Sequence, residues 1–140
     1  MCKYLDFEAG KNASNLFIHG EVFSFWRQNI KNATLEFYDS FGKISYSALF
    51  NETVHLFDGK GILAGPTRIP GIGADKHWIP FWLDMRKTGT IVIGSGATVL
   101  LNYTATDCDV TPPFIKFISD ESELIMYCDK EGLFSIYVHI

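Results

Sequence analysis

Three residues near the middle of the chain have the types and the setting to hold a sugar: Arg68, His77 and Trp78. They lie around Asp75-Lys76-His77-Trp78-Ile79-Pro80-Phe81-Trp82-Leu83-Asp84, which follows a stretch rich in Gly and Pro. An indole face stacks on the C–H groups of a pyranose, while a guanidinium, an imidazole or a carboxylate hydrogen-bonds its hydroxyls. Alternation puts Trp78, Pro80 and Trp82 on one side of an extended strand, a side that suits a core as well as a platform. Trp82 reads as core. Trp78, nearer the Gly/Pro stretch, suits either role and stands with Arg68 and His77 as ligand-binding.

Other reactive spacings are weaker. Ile91-Val92-Ile93-Gly94-Ser95-Gly96-Ala97-Thr98 has the strand and Gly-x-Gly of a nucleotide turn. Such a turn needs a third small residue and a helix whose N-terminus receives phosphate. Val99 stands where that third Gly belongs, and Val99–Thr104 is β-prone, so a hairpin or bulge is expected instead. Gly59-Lys60-Gly61 and Gly65-Pro66-Thr67 lack the Lys-[Ser/Thr] end of a phosphate loop. His19, His55, His77 and His139 show none of the short spacings of a zinc site, and no G-x-S-x-G elbow exists. No metal, no cofactor and no catalytic residue is therefore assigned.

The asparagines are more informative. Of six, four begin N-x-[ST] triplets: Asn12, Asn32, Asn51 and Asn102. With Ser and Thr at 18 of 140 positions, chance supplies about 0.8 such triplets. Turn chemistry also favours these residue types. The excess nevertheless points to glycan-bearing sites on a secreted or extracellular protein.

Cys108 and Cys128 flank Pro112-Pro113 and could staple neighbouring strands, contributing about 3 kcal/mol through the unfolded chain. Cys2 is then left over. Met1-Cys2-Lys3 does not open a signal peptide, so the chain reads as a module excised from a longer secreted protein.

These residues need elements to position them. One hundred and forty residues with 47% hydrophobic, 20% charged and 15% aromatic side chains suit one compact soluble domain spanning residues 1–140. A net charge of −4 without a basic cluster argues against nucleic acid, and the absence of a long apolar run argues against membrane insertion. The dominant period is two. Leu35 and Phe37 alternate with Glu36 and Tyr38, Ile115 and Phe117 flank Lys116, and Phe134, Ile136, Val138 and Ile140 share a face. Leu124, Met126 and Cys128 share another, read as core-facing. Turns are expected at Asp39–Gly42, Asp58–Gly61, Lys87–Gly89, Ser119–Ser122 and Asp129–Gly132. Glu21–Lys31 fits a helix or a strand, and Gly61–Asp75, with four Gly and two Pro, reads as a long loop. Eight to ten short strands predict an all-β, antiparallel two-sheet β-sandwich or jelly roll.

Phe81-Trp82-Leu83-Asp84 followed by Thr88-Gly89-Thr90-Ile91-Val92-Ile93-Gly94-Ser95-Gly96 resembles the "F-W-[IV]-x … G-x-I-x-V-G-x-G" stretch of the farnesoic acid O-methyltransferase-type domain. The likeness continues through Leu101–Asp107 and Pro113–Ser119. Upstream, Val54–Gly59 and Arg68 stand for that family's strand and loop, so the likeness spans residues 35–119. The family's Gly-Gly-Trp-Gly-Asn is not reproduced. The resemblance implies an extracellular antiparallel sandwich of lectin-like character, and nothing in the chain resembles a methyl-donor site.

The function expected is a non-catalytic, secreted or cell-surface recognition module for a carbohydrate or protein ligand. The alternatives are a structural or adhesion subunit that forms homo-oligomers, and a small β-fold enzyme.

Overall fold

The computed structural model describes residues 2–7, 16–28, 31–71, 78–105, 114–119, 123–128 and 134–138. Thirteen strands and no helix lie among them. The strands are β1 (Cys2–Phe7), β2 (Leu16–Gly20), β3 (Val22–Arg27), β4 (Ala33–Tyr38), β5 (Ile44–Phe50), β6 (Thr53–Asp58), β7 (Gly61–Arg68), β8 (Ile79–Asp84), β9 (Thr90–Ser95), β10 (Thr98–Thr104), β11 (Phe114–Ser119), β12 (Glu123–Cys128) and β13 (Phe134–Val138). They form a six-stranded sheet, β1-β12-β3-β8-β9-β10, and a seven-stranded sheet, β13-β2-β11-β4-β5-β6-β7. Every pairing is antiparallel. The expected two-sheet sandwich is the fold, with more strands than the eight to ten expected.

Alternation produces it. On β4 the buried residues are Ala33, Leu35 and Phe37, with Thr34, Glu36 and Tyr38 half-exposed between them. Strand β3 alternates in the same way, burying Phe23, Phe25 and Arg27, so the part of the Glu21–Lys31 segment from Val22 to Arg27 is a strand rather than a helix. A period of two can bury one side of a sheet and leave the other to solvent. At the centre, Phe25 stacks on Phe23 and Phe81 from its own sheet and meets Phe50 and Phe117 of the other edge-on, at centroid distances of 5.2–6.2 Å counting the Phe50–Phe81 pair. Aromatic pairs at these distances and angles add attraction beyond the burial of their area.

The turns follow the sequence. Asp39 Oδ1 accepts from the amides of Phe41 and Lys43 at 2.8 and 2.9 Å, and Asp58 Oδ1 accepts from those of Lys60 and Gly61 at 2.8 and 3.2 Å. Gly96 and Ala97 form the hairpin turn between β9 and β10, followed by a bulge between Val99 and Leu101. The turns expected at 119–122 and 129–132 fall mostly outside the described residues.

Three expectations are corrected. Gly61–Arg68 is a strand, not part of a loop. Among the described residues it pairs only with β6, and it carries two bulges: Gly65 and Pro66 together face His55, and Leu63 is extra between Ile62 and Ala64. An edge strand tolerates a proline at a bulge, where no ladder donor is required. Trp82 is not core: Ile79, Phe81 and Leu83 are the buried residues of β8, and Trp82 is half-buried on the outer side. On β12 the parity is likewise reversed, with Ile125 fully buried, Met126 half-buried and Tyr127 packed against the core. In these strands both faces carry large apolar residues, so alternation alone does not say which one turns inward.

Candidate functional site

The outer side of the seven-stranded sheet is assembled by register. Lys116 on β11 stands opposite Glu36 on β4, Glu36 opposite Ser47 on β5, Ser47 opposite Phe57 on β6, and Phe57 opposite Ile62 on β7. The neighbouring row runs Ile118, Thr34, Leu49, His55. In each row directly opposed residues point to the same side. The inward rows account for the core, with Leu35, Ala48 and Leu56 all buried.

This outer side is mixed in character. The rings of His55 and Phe57 lie 5.3 Å apart with their planes tilted by 37°. Ile62 beside them is 62% exposed. One strand pair away, the Tyr38 hydroxyl donates to Glu36 Oε1 at 3.0 Å. Burial, reinforced by the hydrogen bond to Glu36 and by its charge, pushes the Tyr38 phenol up to about 12. The phenol therefore stays protonated at neutral pH and remains a donor. An apolar ring surface flanked by a carboxylate, hydroxyls and an ammonium has the composition needed to stack on a sugar ring and hydrogen-bond its hydroxyls.

The opposite sheet carries a cleft of about 430 Å3 on its outer side, lined by Asp84, Arg86, Lys87, Thr90, Val92, Asn102 and Thr104. Asp84, Val92 and Asn102 are consecutive cross-strand partners on β8, β9 and β10, and Thr90 pairs with Thr104. The Arg86 guanidinium donates to Asp84 through Nε at 3.1 Å and Nη2 at 2.7 Å, and the Arg86 amide donates to Asp84 Oδ1 at 3.0 Å. Hydrogen bonding to Arg86 holds the Asp84 carboxyl below the usual carboxylate range, against a smaller opposing push from burial. The Thr90 and Thr104 hydroxyls lie 3.0 Å apart.

The residues singled out from sequence scatter over this framework. Arg68 is exposed at the end of edge strand β7, opposite Thr53 on the seven-stranded sheet. Trp78 is half-buried immediately before β8, a strand of the six-stranded sheet. His77, Asn12 and Cys108 lie outside the described residues. Cys128 ends β12, where its cross-strand partner is Cys2. Asn32 and Asn51 meet, Asn51 Nδ2 donating to Asn32 Oδ1 at 3.2 Å, while Asn102 is exposed on β10. No group of three or more His, Cys, Asp or Glu residues able to hold a metal ion occurs among the described residues. No helix among them is long and apolar enough to cross a membrane.

Glu36, Tyr38, Ser47, His55 and Phe57 went unnoticed in the sequence as a group. Glu36, Tyr38, His55 and Phe57 lie on half-buried strand positions and Ser47 on a buried one, and their grouping depends on the pairing of three strands. The turn at Asp39–Gly42 marks the β4–β5 hairpin, but the residue-by-residue register also depends on a bulge between Phe37 and Tyr38 that the turn residues do not reveal.

No family model matches the sequence, and no curated protein matches it. Among solved structures, a tetrameric galectin from the ball sponge Cinachyrella sp. is similar at 12% identity, over 98% of this chain and 99% of that one, with a TM-score of 0.53. Sheep galectin-11, solved in complex with glycerol, is similar at 7% identity, over 98% and 96% of the two chains, with a TM-score of 0.50. At these identities the likeness is one of fold: the chain has the two-sheet antiparallel β-sandwich architecture of these galectins. Of the expectation attached to the farnesoic acid O-methyltransferase-type resemblance, the antiparallel β-sandwich is present, while no family model supports that domain itself.

Proposed function

We propose that the chain is a non-catalytic recognition module that binds carbohydrate on the outer side of its seven-stranded sheet. The observation that carries this reading is the His55–Phe57 ring pair, with Ile62 on one flank and the Tyr38–Glu36 hydrogen-bonded pair on the other. A sugar ring laid on Phe57 would bring its hydroxyls toward the Glu36 carboxylate, which retains lone pairs beyond the one the Tyr38 phenol engages. The galectin-like fold supports the reading, since the tetrameric sponge protein and the sheep protein are themselves galectins. Kinship with the farnesoic acid O-methyltransferase-type domain is the finer form of the same proposal.

Arg68, His77 and Trp78 stay candidate ligand-binding residues taken singly, since Arg68 belongs to the seven-stranded sheet and Trp78 adjoins the six-stranded one. The four sequons favour a secreted or extracellular setting, and there an oxidised pair would join Cys108 to Cys128. A protein ligand and self-association through exposed strand edges are the other outcomes this surface allows.

A glycan array decides between the sites. Wild-type chain is expected to retain a set of glycans that Phe57→Ala and Glu36→Gln each weaken at least ten-fold, while Trp78→Ala does not. Loss with Trp78→Ala alone would move the site to the residue 68–78 region. No retained glycan with wild type would remove carbohydrate as the ligand.

A further inference from the structure

We propose that the cleft on the six-stranded sheet is the docking place of a glycan carried by Asn102. The inference rests on the extracellular part of the reading above, because only a secretory route attaches such a glycan. It is independent of which ligand the opposite sheet binds.

Asn102 and Thr104 are positions 1 and 3 of a sequon on β10, the edge strand of the sheet. Both are exposed and both line the cleft. The Asn102 carboxamide takes part in no hydrogen bond among the described residues. The contrast with Asn51 is sharp: its Nδ2 donates to Asn32, and its Oδ1 accepts from the Thr53 amide at 3.0 Å and the Thr53 hydroxyl at 3.3 Å. Two of the other sequon asparagines thus occupy one another at one end of the seven-stranded sheet. Asn102 instead opens onto a preformed concavity.

That concavity fits what would be tethered to it. Its volume of about 430 Å3 falls in the ~300–1,000 Å3 range of clefts that enclose small ligands. Val92, directly opposite Asn102, supplies an apolar floor for the C–H face of the first sugar. Asp84 lies one strand further, so it stands about 10 Å from Asn102 across the sheet, within reach of the first or second sugar. Asp84 and Arg86 hold each other through several hydrogen bonds as a polar wall, and Lys87 and the threonine hydroxyls complete the rim. Docking there would also cover an edge strand, whose unpaired backbone groups are otherwise open to pairing with another chain.

Attachment itself is ordinary transfer from a lipid-pyrophosphate-linked oligosaccharide. The Asn102 Nδ2–sugar C1 bond forms, the C1–O bond to phosphate breaks, the pyrophosphate leaves on the lipid and Nδ2 loses one proton.

The test uses the full chain secreted from a eukaryotic host. Native glycoprotein is treated with an endoglycosidase that cuts between the first two sugars, and trimming at each asparagine is followed by glycopeptide mass spectrometry. The expected result is Asn102 occupancy, with trimming at least ten-fold slower than in Arg86→Ala and in Val92→Ser. Both substitutions alter the cleft without touching the core. Equal trimming rates in all three proteins would overturn the docking. So would an unmodified Asn102 in chains glycosylated at Asn32 or Asn51. If no asparagine carries a glycan, the docking falls and the extracellular reading falls with it, whereas the glycan-array result for the other sheet stands on its own.

Discussion

The indole of Trp82 lies flat across Gly94, its partner on the neighbouring strand, and donates from Nε1 to the Gly96 carbonyl at 2.8 Å. A Cβ at Gly94 would fall inside the indole, in hard overlap with Cζ2 and Cε2 and 2.7 Å from Nε1. The glycine spacing that looks like a nucleotide turn thus has a packing cause. Gly94 makes room for an aromatic ring, and Gly96, at φ 57°, turns the hairpin.

Gly94→Ala must therefore displace Trp82 and break its hydrogen bond. Forced overpacking of this kind costs roughly 1–3 kcal/mol. Urea denaturation should show a loss of that size. Trp82→Ala should make the further Gly94→Ala change nearly silent, because the two effects share one cause. Additive losses in the double variant would contradict the ring-on-glycine account.

Arg27 is a buried cation, 1% exposed, on the inward side of β3. Its Nη2 donates to the Lys31 carbonyl at 2.6 Å, and its Nη1 reaches the Phe50 carbonyl of the opposite sheet at 3.4 Å. Arg27→Ala removes the donor that reaches the buried Phe50 carbonyl and opens a cavity, which should cost about 3 kcal/mol. Arg27→Lys cannot reproduce the fork and should recover only part of it. Thermal denaturation of both variants checks the order.

Tyr38 sets an alkaline limit. Its folded-state value of about 12 lies above the ordinary 10.0, so its contribution is full below pH 10. It is lost as pH rises from 10 to 12, where the unfolded chain ionises and the folded one resists. Stability measured across that window should fall less in Tyr38→Phe than in wild type, and one phenolate should appear late in an absorbance titration of the native protein.

Asp84 acts at the other end of the scale. With its carboxyl held below the ordinary 3.8 by Arg86, its contribution is present above that value and lost as pH falls through the lower, folded one. The pair is partly solvated, with side chains 65% and 27% exposed, so its worth is about 0.5 kcal/mol. Asp84→Asn should flatten the acid limb of the stability curve by that amount, and salt should shrink the difference.

Sequence alone was enough to specify an antiparallel sandwich. The alternation through β4 and β11, the Asp-Gly turns and the aromatic content are local, and a period of two leaves a sheet few options. The sequons, too, are readable without coordinates. What alternation could not supply is which side of β8 or β12 turns inward, because both sides carry large apolar residues and only the opposing sheet chooses between them. It could not supply β7 either, since a bulged edge strand loses its periodicity where Gly65 and Pro66 face one residue. The two outer surfaces are tertiary products. Glu36, Ser47 and Phe57 share a row because three strands pair in one register, and Asn102 lines up with Asp84 across β9 for the same reason. Arg68 and Trp78, close in the chain beside a Gly/Pro stretch, end on different sheets, because proximity along a strand-forming chain does not determine which sheet each strand joins.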